Sequence, residues 1–296
     1  MNMVRMVKRL TKEKKVGHGG TLDPIATGVL PICFGQATRL MDPLVDGMKL
    51  YRTKIRLGET TDTYDSDGTI VAKTDPGNVS RQDIEEALIG FRGVIAQIPP
   101  MYSALKHSGE RLYALARAGF EVEREARMVK VSRIEIIEWE SPDVLLDIEC
   151  GRGVYVRSIG HDLGQALGCG GHVIDLQRRK AGPFRVEEGV SPDVFAAAVE
   201  QGTWHELIHT PDSVVQNLPA ATVTGALESF VKNGRPVRLG SRESLGQVQH
   251  GDLWRVYTHD GQFLALARFD KPLGQWKPEK VFAPSSKTGQ KDHVLS

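Results

Sequence analysis

The sequence predicts an α+β protein in two parts, and three observations carry that prediction. Tyr51, Thr53, Ile55 and Leu57 alternate with Arg52, Lys54 and Arg56, the period of a strand with one polar face. Ile84, Ala87, Leu88 and Phe91 recur at helical spacing instead. From about residue 218 the pattern shifts to one helix followed by short strands, which marks a smaller β-rich unit. The chain has 296 residues, enough for one large domain and a small one. The expected division is 1–215, then 218–284, then a polar tail over 285–296 that is expected to be disordered.

The elements follow in order. Val4, Val7 and Leu10 predict an opening helix. Strands are expected over 51–57 and 69–73. Ser80 and Asp83 have the spacing of a capping box, so a helix starts there and runs to about Phe91. Residues 97–128 differ from their surroundings. Pro99 and Pro100 make a rigid extended approach, a helix is expected over 110–118, and Gly119 ends it. This basic, aromatic segment fits either an ordinary surface helix or an insertion that closes over a ligand. Strands are expected over 129–137 and 144–148, a helix over 156–167 and a strand over 172–176. Ser191 and Pro192 open another helix. The second part should hold a helix over 224–232 and strands over 236–239, 247–257 and 263–269.

Charge and cysteine usage narrow the classes. The formal net charge is only +1, so any argument for a nucleic-acid partner must be local. Arg5, Lys8, Arg9, Lys12, Lys14, Lys15 and Arg39 outnumber Glu13 and Asp23 near the start. Arg178, Arg179 and Lys180 form a second basic cluster, with Arg185 behind it. Each cluster alone fits a solvated face; both together fit a polyanionic substrate. Cys33, Cys150 and Cys169 are odd in number, far apart and form no Cys-x-x-Cys pair. This argues against a disulfide framework and a zinc site, and points to a reducing, cytoplasmic home. No apolar run has the length of a membrane span.

The most informative stretch is 17–31. Gly17, Gly19 and Gly20 lead to one acid, Asp23, which Pro24 restricts to extended backbone. By itself the pattern fits a surface turn capped by Asp23, or a loop that presents one carboxylate at a fixed angle.

The run from His18 through Thr21-Leu22-Asp23-Pro24 to Pro31, continued by Phe34-Gly35-Gln36-Ala37-Thr38, resembles the nucleophile motif of the TruB family of tRNA pseudouridine synthases. Four further segments resemble that family in the same order. They are Tyr51-Arg52-Thr53-Lys54-Ile55-Arg56-Leu57-Gly58 and Thr61-Asp62-Thr63-Tyr64-Asp65-Ser66-Asp67-Gly68, then Pro99-Pro100-Met101-Tyr102-Ser103-Ala104-Leu105-Lys106 and Gly153-Val154-Tyr155-Val156-Arg157-Ser158-Ile159. Five motifs in order are far more specific than one.

The resemblance implies a mixed, mainly antiparallel central sheet flanked by helices over 1–215, with 97–128 as an RNA-gripping insertion. It implies a PUA-like, β-barrel-like RNA-binding domain over 218–284. It implies isomerisation of the T-loop uridine of tRNA to pseudouridine after base flipping, by a monomer needing no cofactor, metal or obligatory protein partner. The rivals are a catalytic subunit acting on another RNA and a non-catalytic tRNA-binding or folding protein. Asp23 is implied as nucleophile, acting either covalently on C1′ or as a base that withdraws a ribose proton, and in both routes it must be ionised. Arg157 is implied as its partner, since a guanidinium can hold a carboxylate with two prongs. Tyr51 is implied as the base-stacking residue and general base. Tyr155 and Leu176 are implied as walls of the uracil pocket, and Tyr155 and Arg157, two apart, would share a face on a strand. His18 is implied to fill space vacated in the RNA loop, and Lys106 to grip phosphate. Asp65 is a further site candidate, although an Asx turn explains it equally well. Without the resemblance Tyr51 and Leu176 read as core, and His18 as structural. Family members normally begin with a strand bearing a Lys-Pro-x-Gly-x-x-Ser-type motif, and that strand is expected to be missing here.

Overall fold

The computed structural model describes residues 3–107, 109–240, 248–282 and 294–295. They fall into two compact units: one comprises 21–30 and 45–189, the other 1–20, 31–44 and 190 onward. These units do not divide along the expected cut near 215. The segments 1–20 and 31–44 pack with the C-terminal part, and such long-range membership has no local sequence signal.

The first unit is built on a seven-stranded sheet. Its order is Phe184–Arg185, Gly171–Ala181, Lys49–Leu57, Asp143–Cys150, Arg127–Glu140 and Gly93–Gln97, every neighbour antiparallel. The short strand Ala26–Gly28 joins Gly171–Ala181 in parallel, so the sheet is mixed and mainly antiparallel. The alternation read at 51–57 places Ile55 and Leu57 in the core with Val144, Leu146 and Ile148 of the neighbouring strand. Helices Arg81–Ile89 and Val156–Ala166 cover that face through Ile84, Leu88, Ile159 and Leu163. The capping box at Ser80 and Asp83 is present. Helix Val156–Ala166 approaches the sheet closely because Gly164 has no side chain; a Cβ there would lie 2.1 Å from the Gly170 backbone.

Several expectations are revised. The helix in the 97–128 segment spans only Leu112–Arg117, because Glu110–Arg111 pairs with Lys106–His107 as a small ribbon. The strand expected over 172–176 continues to Ala181, through residues whose charge suggested a solvated surface. Strand Gly93–Gln97 has no counterpart in the sequence reading. It is a sheet edge with Val94 64% exposed, so it lacks an alternating apolar pattern.

The second unit holds helices Met3–Thr11, Pro192–Glu200 and Gly225–Lys232. Its larger sheet runs Ala220–Val223, Leu253–Thr258, Phe263–Asp270, Gln275–Val281. Trp276, on the edge strand Gln275–Val281, is fully buried, with Trp254 and Phe269 rings at 4.4 and 5.2 Å. The pairings among the described residues follow one open order rather than a closed barrel. The strand expected over 236–239 is a single bridge, Val237 to Trp276. Of the strand expected over 247–257 only the part from Leu253 forms, and Gln247 lies outside the described residues. In the polar tail Val294–Leu295 pairs with Ile32–Phe34 and is buried, so the expected disorder fails for those two apolar residues; 285–293 and 296 lie outside the described residues. Among the described residues no helix is long and apolar enough to cross a membrane. Nor does any group of three or more His, Cys, Asp or Glu side chains stand ready to hold a metal ion.

Candidate active site

Asp23 opens a tight turn, with the Ala26 N–H donating to its carbonyl at 2.9 Å and Pro24 at the turn position that suits its fixed φ. Ala26, Thr27 and Gly28 then lie in parallel register with Leu176, Gln177 and Arg178. Gly28 is obligatory at this crossing. Its φ is +99°, and a Cβ would sit 2.2 Å from the Arg178 carbonyl oxygen. The loop is thereby stitched to the sheet one turn after its acid, and the Asp23 side chain keeps 29% of its surface open.

Arg157 lies in the first turn of helix Val156–Ala166, where the helix dipole disfavours a cation. Its acceptors explain the placement. Nε donates to Asp23 Oδ2 at 2.8 Å, Nη1 to the Thr63 carbonyl at 3.1 Å, and Nη2 to the Tyr102 carbonyl at 2.9 Å. Nη1 also lies 3.2 Å from Asp65 Oδ2. Arg157 and Asp65 are each only 2% exposed. The fork expected to grip Asp23 with two prongs is thus divided between two carboxylates.

Asp65 forms the expected Asx turn and also faces Arg157. Oδ1 accepts from the Asp67 N–H at 3.1 Å, an Asx turn, and from Thr63 Oγ1 at 2.6 Å, while Oδ2 faces Arg157.

Tyr155 is the N-cap of the Arg157 helix, with φ −102° and ψ 110°, so the two residues do not share a strand face. Gln97 fixes it, accepting from the Tyr155 N–H at 2.8 Å and donating to its carbonyl at 3.0 Å. Asp23, Tyr51, Ala26, Val154, Tyr155 and Leu176 line one cavity of about 250 Å³. Four of the predicted site residues therefore meet in one hollow, and Arg157 and Asp65 stand behind its acid.

Sequence reasoning placed Arg178 in a basic cluster and missed its role. It is 1% exposed, directly opposite Tyr51 in the sheet. Nε donates to the Val29 carbonyl at 2.8 Å and Nη1 to the Thr21 carbonyl at 3.3 Å, so one guanidinium grips the loop on both sides of Asp23. It also hydrogen-bonds the Tyr51 hydroxyl. Burial pushes that hydroxyl's pKa up, and Arg178 pulls it back. Burial likewise raises Tyr155. Lys49, two residues before Tyr51, is buried, donates to the Val45 carbonyl and has its pKa lowered to about 8 by burial and by Arg178. Of the rest of the basic cluster, Arg179 pairs with Glu187.

Two predicted residues lie elsewhere. Lys106 is exposed on the 106–111 ribbon and lines a separate hollow of about 520 Å³ with Leu105, Leu112, Glu123 and Arg124. His18 ends strand Val16–His18 in the other unit, and its Nδ1 is buried without a hydrogen-bond partner among the described residues.

Residues 8–156 match the model of the TruB family pseudouridylate synthase N-terminal domain, and 157–216 that of the tRNA pseudouridylate synthase B C-terminal domain. The tRNA pseudouridine synthase B of Dehalococcoides mccartyi is 41% identical over 280 residues, covering 95% of this chain and 91% of that one. The same-named protein of Ectopseudomonas mendocina is 42% identical over 266 residues, covering 89% and 85%. Among solved structures, a chain of an H/ACA RNP bound to a substrate RNA containing 2'-deoxyuridine superposes with a TM-score of 0.72 at 25% identity, over 96% of this chain and 81% of that one. A chain of a Cbf5-Nop10-Gar1 complex gives 0.71 at 27%, over 95% and 80%. Since the family models together span residues 8–216, more than half of the chain, this protein belongs to the TruB family of pseudouridylate synthases.

Proposed function

We propose that this protein is a tRNA pseudouridine synthase that isomerises the T-loop uridine of the T-arm, with Asp23 as nucleophile. The observation that carries the reading is the Asp23–Arg157 pair, 2.8 Å apart, at the wall of a cavity sized for one base and bounded by Tyr51 and Leu176. A stacked base cannot reach such a cavity, so it must be flipped out. Flipping costs a few kcal/mol, and stacking on an aromatic ring such as Tyr51 returns roughly 1–3 kcal/mol.

In this reading the Asp23 carboxylate attacks C1′ and the C1′–N1 bond breaks, leaving a uracil anion in the cavity. The uracil turns and bonds through C5 to C1′ as the carboxylate leaves. Tyr51, whose oxygen Arg178 supports, takes the C5 proton as its own hydroxyl proton leaves to solvent, and solvent returns one proton to N1, so the tyrosine ends as it began. Atoms balance without redox chemistry, and no cofactor takes part. The enzyme works as a cytoplasmic monomer without an obligatory protein partner. The 97–128 segment supports self-sufficient RNA recognition, because its own cations Lys106, Arg111 and Arg117 are exposed where they can meet phosphate.

The test is an unmodified tRNA transcript incubated with purified protein and mapped for pseudouridine. The parent protein should modify the T-loop uridine. Asp23→Asn should abolish turnover while RNA affinity stays within about tenfold, roughly 1.4 kcal/mol. Turnover near the parent level in Asp23→Asn would assign the chemistry to another residue.

A further inference from the structure

We propose that Tyr64 and His161 form a stacked latch that positions Arg157 and, through it, Asp23; the proposal rests on the reading of the Asp23 cavity as the active site. Tyr64 has φ +63°, in the left-handed region. A bulky side chain adopts that conformation only where its surroundings enforce it, and such sites cluster where function needs them. What Tyr64 retains there is a ring. It lies on the His161 imidazole with centroids 3.8 Å apart and planes 11° from parallel.

The latch is placed where it controls the guanidinium. The residues on either side of Tyr64 supply two acceptors to Arg157: the Thr63 carbonyl at 3.1 Å and Asp65 Oδ2 at 3.2 Å. His161 follows Arg157 by four residues in the same helix, so both project from one helix face, a turn apart. The other side of the turn is tied to the sheet, with the Val173 N–H donating to the Tyr64 carbonyl at 3.0 Å. The stack therefore sets the spacing between the turn that holds the acceptors and the helix that carries the donor. Among the described residues His161 Nδ1 is buried without a hydrogen-bond partner, so the imidazole serves through its face. Burial and the nearby Arg124 both favour the neutral ring that stacks.

Tyr64 and His161 are positioning residues, and strain makes them separable from merely structural ones. Tyr64→Gly relieves the backbone and removes the ring. Its melting temperature should stay or rise while kcat falls about 10- to 100-fold, as expected when a reacting group is displaced. Its KM for tRNA should stay within about threefold. His161→Ala should lower kcat similarly, and the double variant should be no worse than either single one. Tyr64→Phe and His161→Phe keep both rings and should retain parent rates. The Arg157 Nε–H proton, slowly exchanging by NMR while it is held on Asp23, should survive in the Phe variants and exchange rapidly in Tyr64→Gly and His161→Ala. Parent kcat in Tyr64→Gly or His161→Ala, or an unchanged Nε–H signal in both, overturns the latch. An inactive parent protein would sink the proposed function instead, and the exchange measurement would still decide the latch.

Discussion

Replacing Arg157 by lysine keeps the charge and removes the fork. The side chain is 2% exposed and serves four acceptors around three nitrogens: Asp23 Oδ2, Asp65 Oδ2 and the Thr63 and Tyr102 carbonyls. Lysine offers a single nitrogen on a flexible stem, so at least two of these acceptors lose their donor. Hydrogen bonds to a charged group contribute about 1.5–3 kcal/mol each, which makes the loss about 3–6 kcal/mol. Part of this appears as lower stability, because Asp65 is buried and keeps a poorer partner. The part that orients Asp23, about 3 kcal/mol, is a slowing of roughly 10²-fold. Single-turnover release of tritium from C5-labelled uridine in a tRNA transcript reads the rate, and a denaturation curve reads the stability. Arg157→Lys within threefold of the parent rate, at unchanged melting temperature, would refute the idea that the divided fork sets the geometry of Asp23.

Three further outcomes follow from the same geometry. Arg178→Gln removes the cation that opposes burial at Tyr51, so the Tyr51 hydroxyl pKa should rise further. Product formation near neutral pH should fall about tenfold or more with RNA binding retained, as expected when a general base is impaired; an unchanged pH–rate profile would exclude Arg178 from that step. Gly28→Ala forces a Cβ to within 2.2 Å of the Arg178 carbonyl at φ +99°, and should cost about 2 kcal/mol or more; equal melting temperatures would refute the close crossing. Asp162 is raised by burial from 3.8 to about 6, so the folded state binds more protons than the unfolded one between those values. The ionised carboxylate then destabilises the fold above about pH 6. Asp162→Asn should stabilise it there by about 1 kcal/mol, discounted because the group keeps solvent contact, and the two proteins should converge below pH 3.8. A stabilisation independent of pH would show that burial of the charge is not the cause.

Local chemistry was legible where a residue's neighbours in sequence are also its neighbours in space. The glycine approach and Pro24 identified the Asp23 loop, and the turn seen there uses them as backbone sterics require. Ser80 and Asp83 identified a helix start that forms as a capping box. The alternation from Tyr51 to Leu57 identified a strand whose apolar side enters the core. Gly93–Gln97 was illegible for the converse reason: on an exposed edge, burial imposes no period on the side chains.

Arg178 shows what only tertiary structure decided. In sequence it is one of three consecutive cations, and charge runs usually face water. Register sets it opposite Tyr51, and the parallel strand Ala26–Gly28 covers it, so it is buried between the loop carbonyls it binds. A slip of one residue would have sent it to the other face. The partners of Arg157 were likewise unreadable in detail. Residues 23, 63, 65 and 102 are all distant from Arg157 along the chain, and their convergence on one guanidinium depends on how a helix, a turn and a loop pack. The sequence by itself determined which residues could do the chemistry, because propensity, period and side-chain type are local properties. The tertiary structure alone decided which of them meet, because register and packing are settled by burial across strands far apart in the chain.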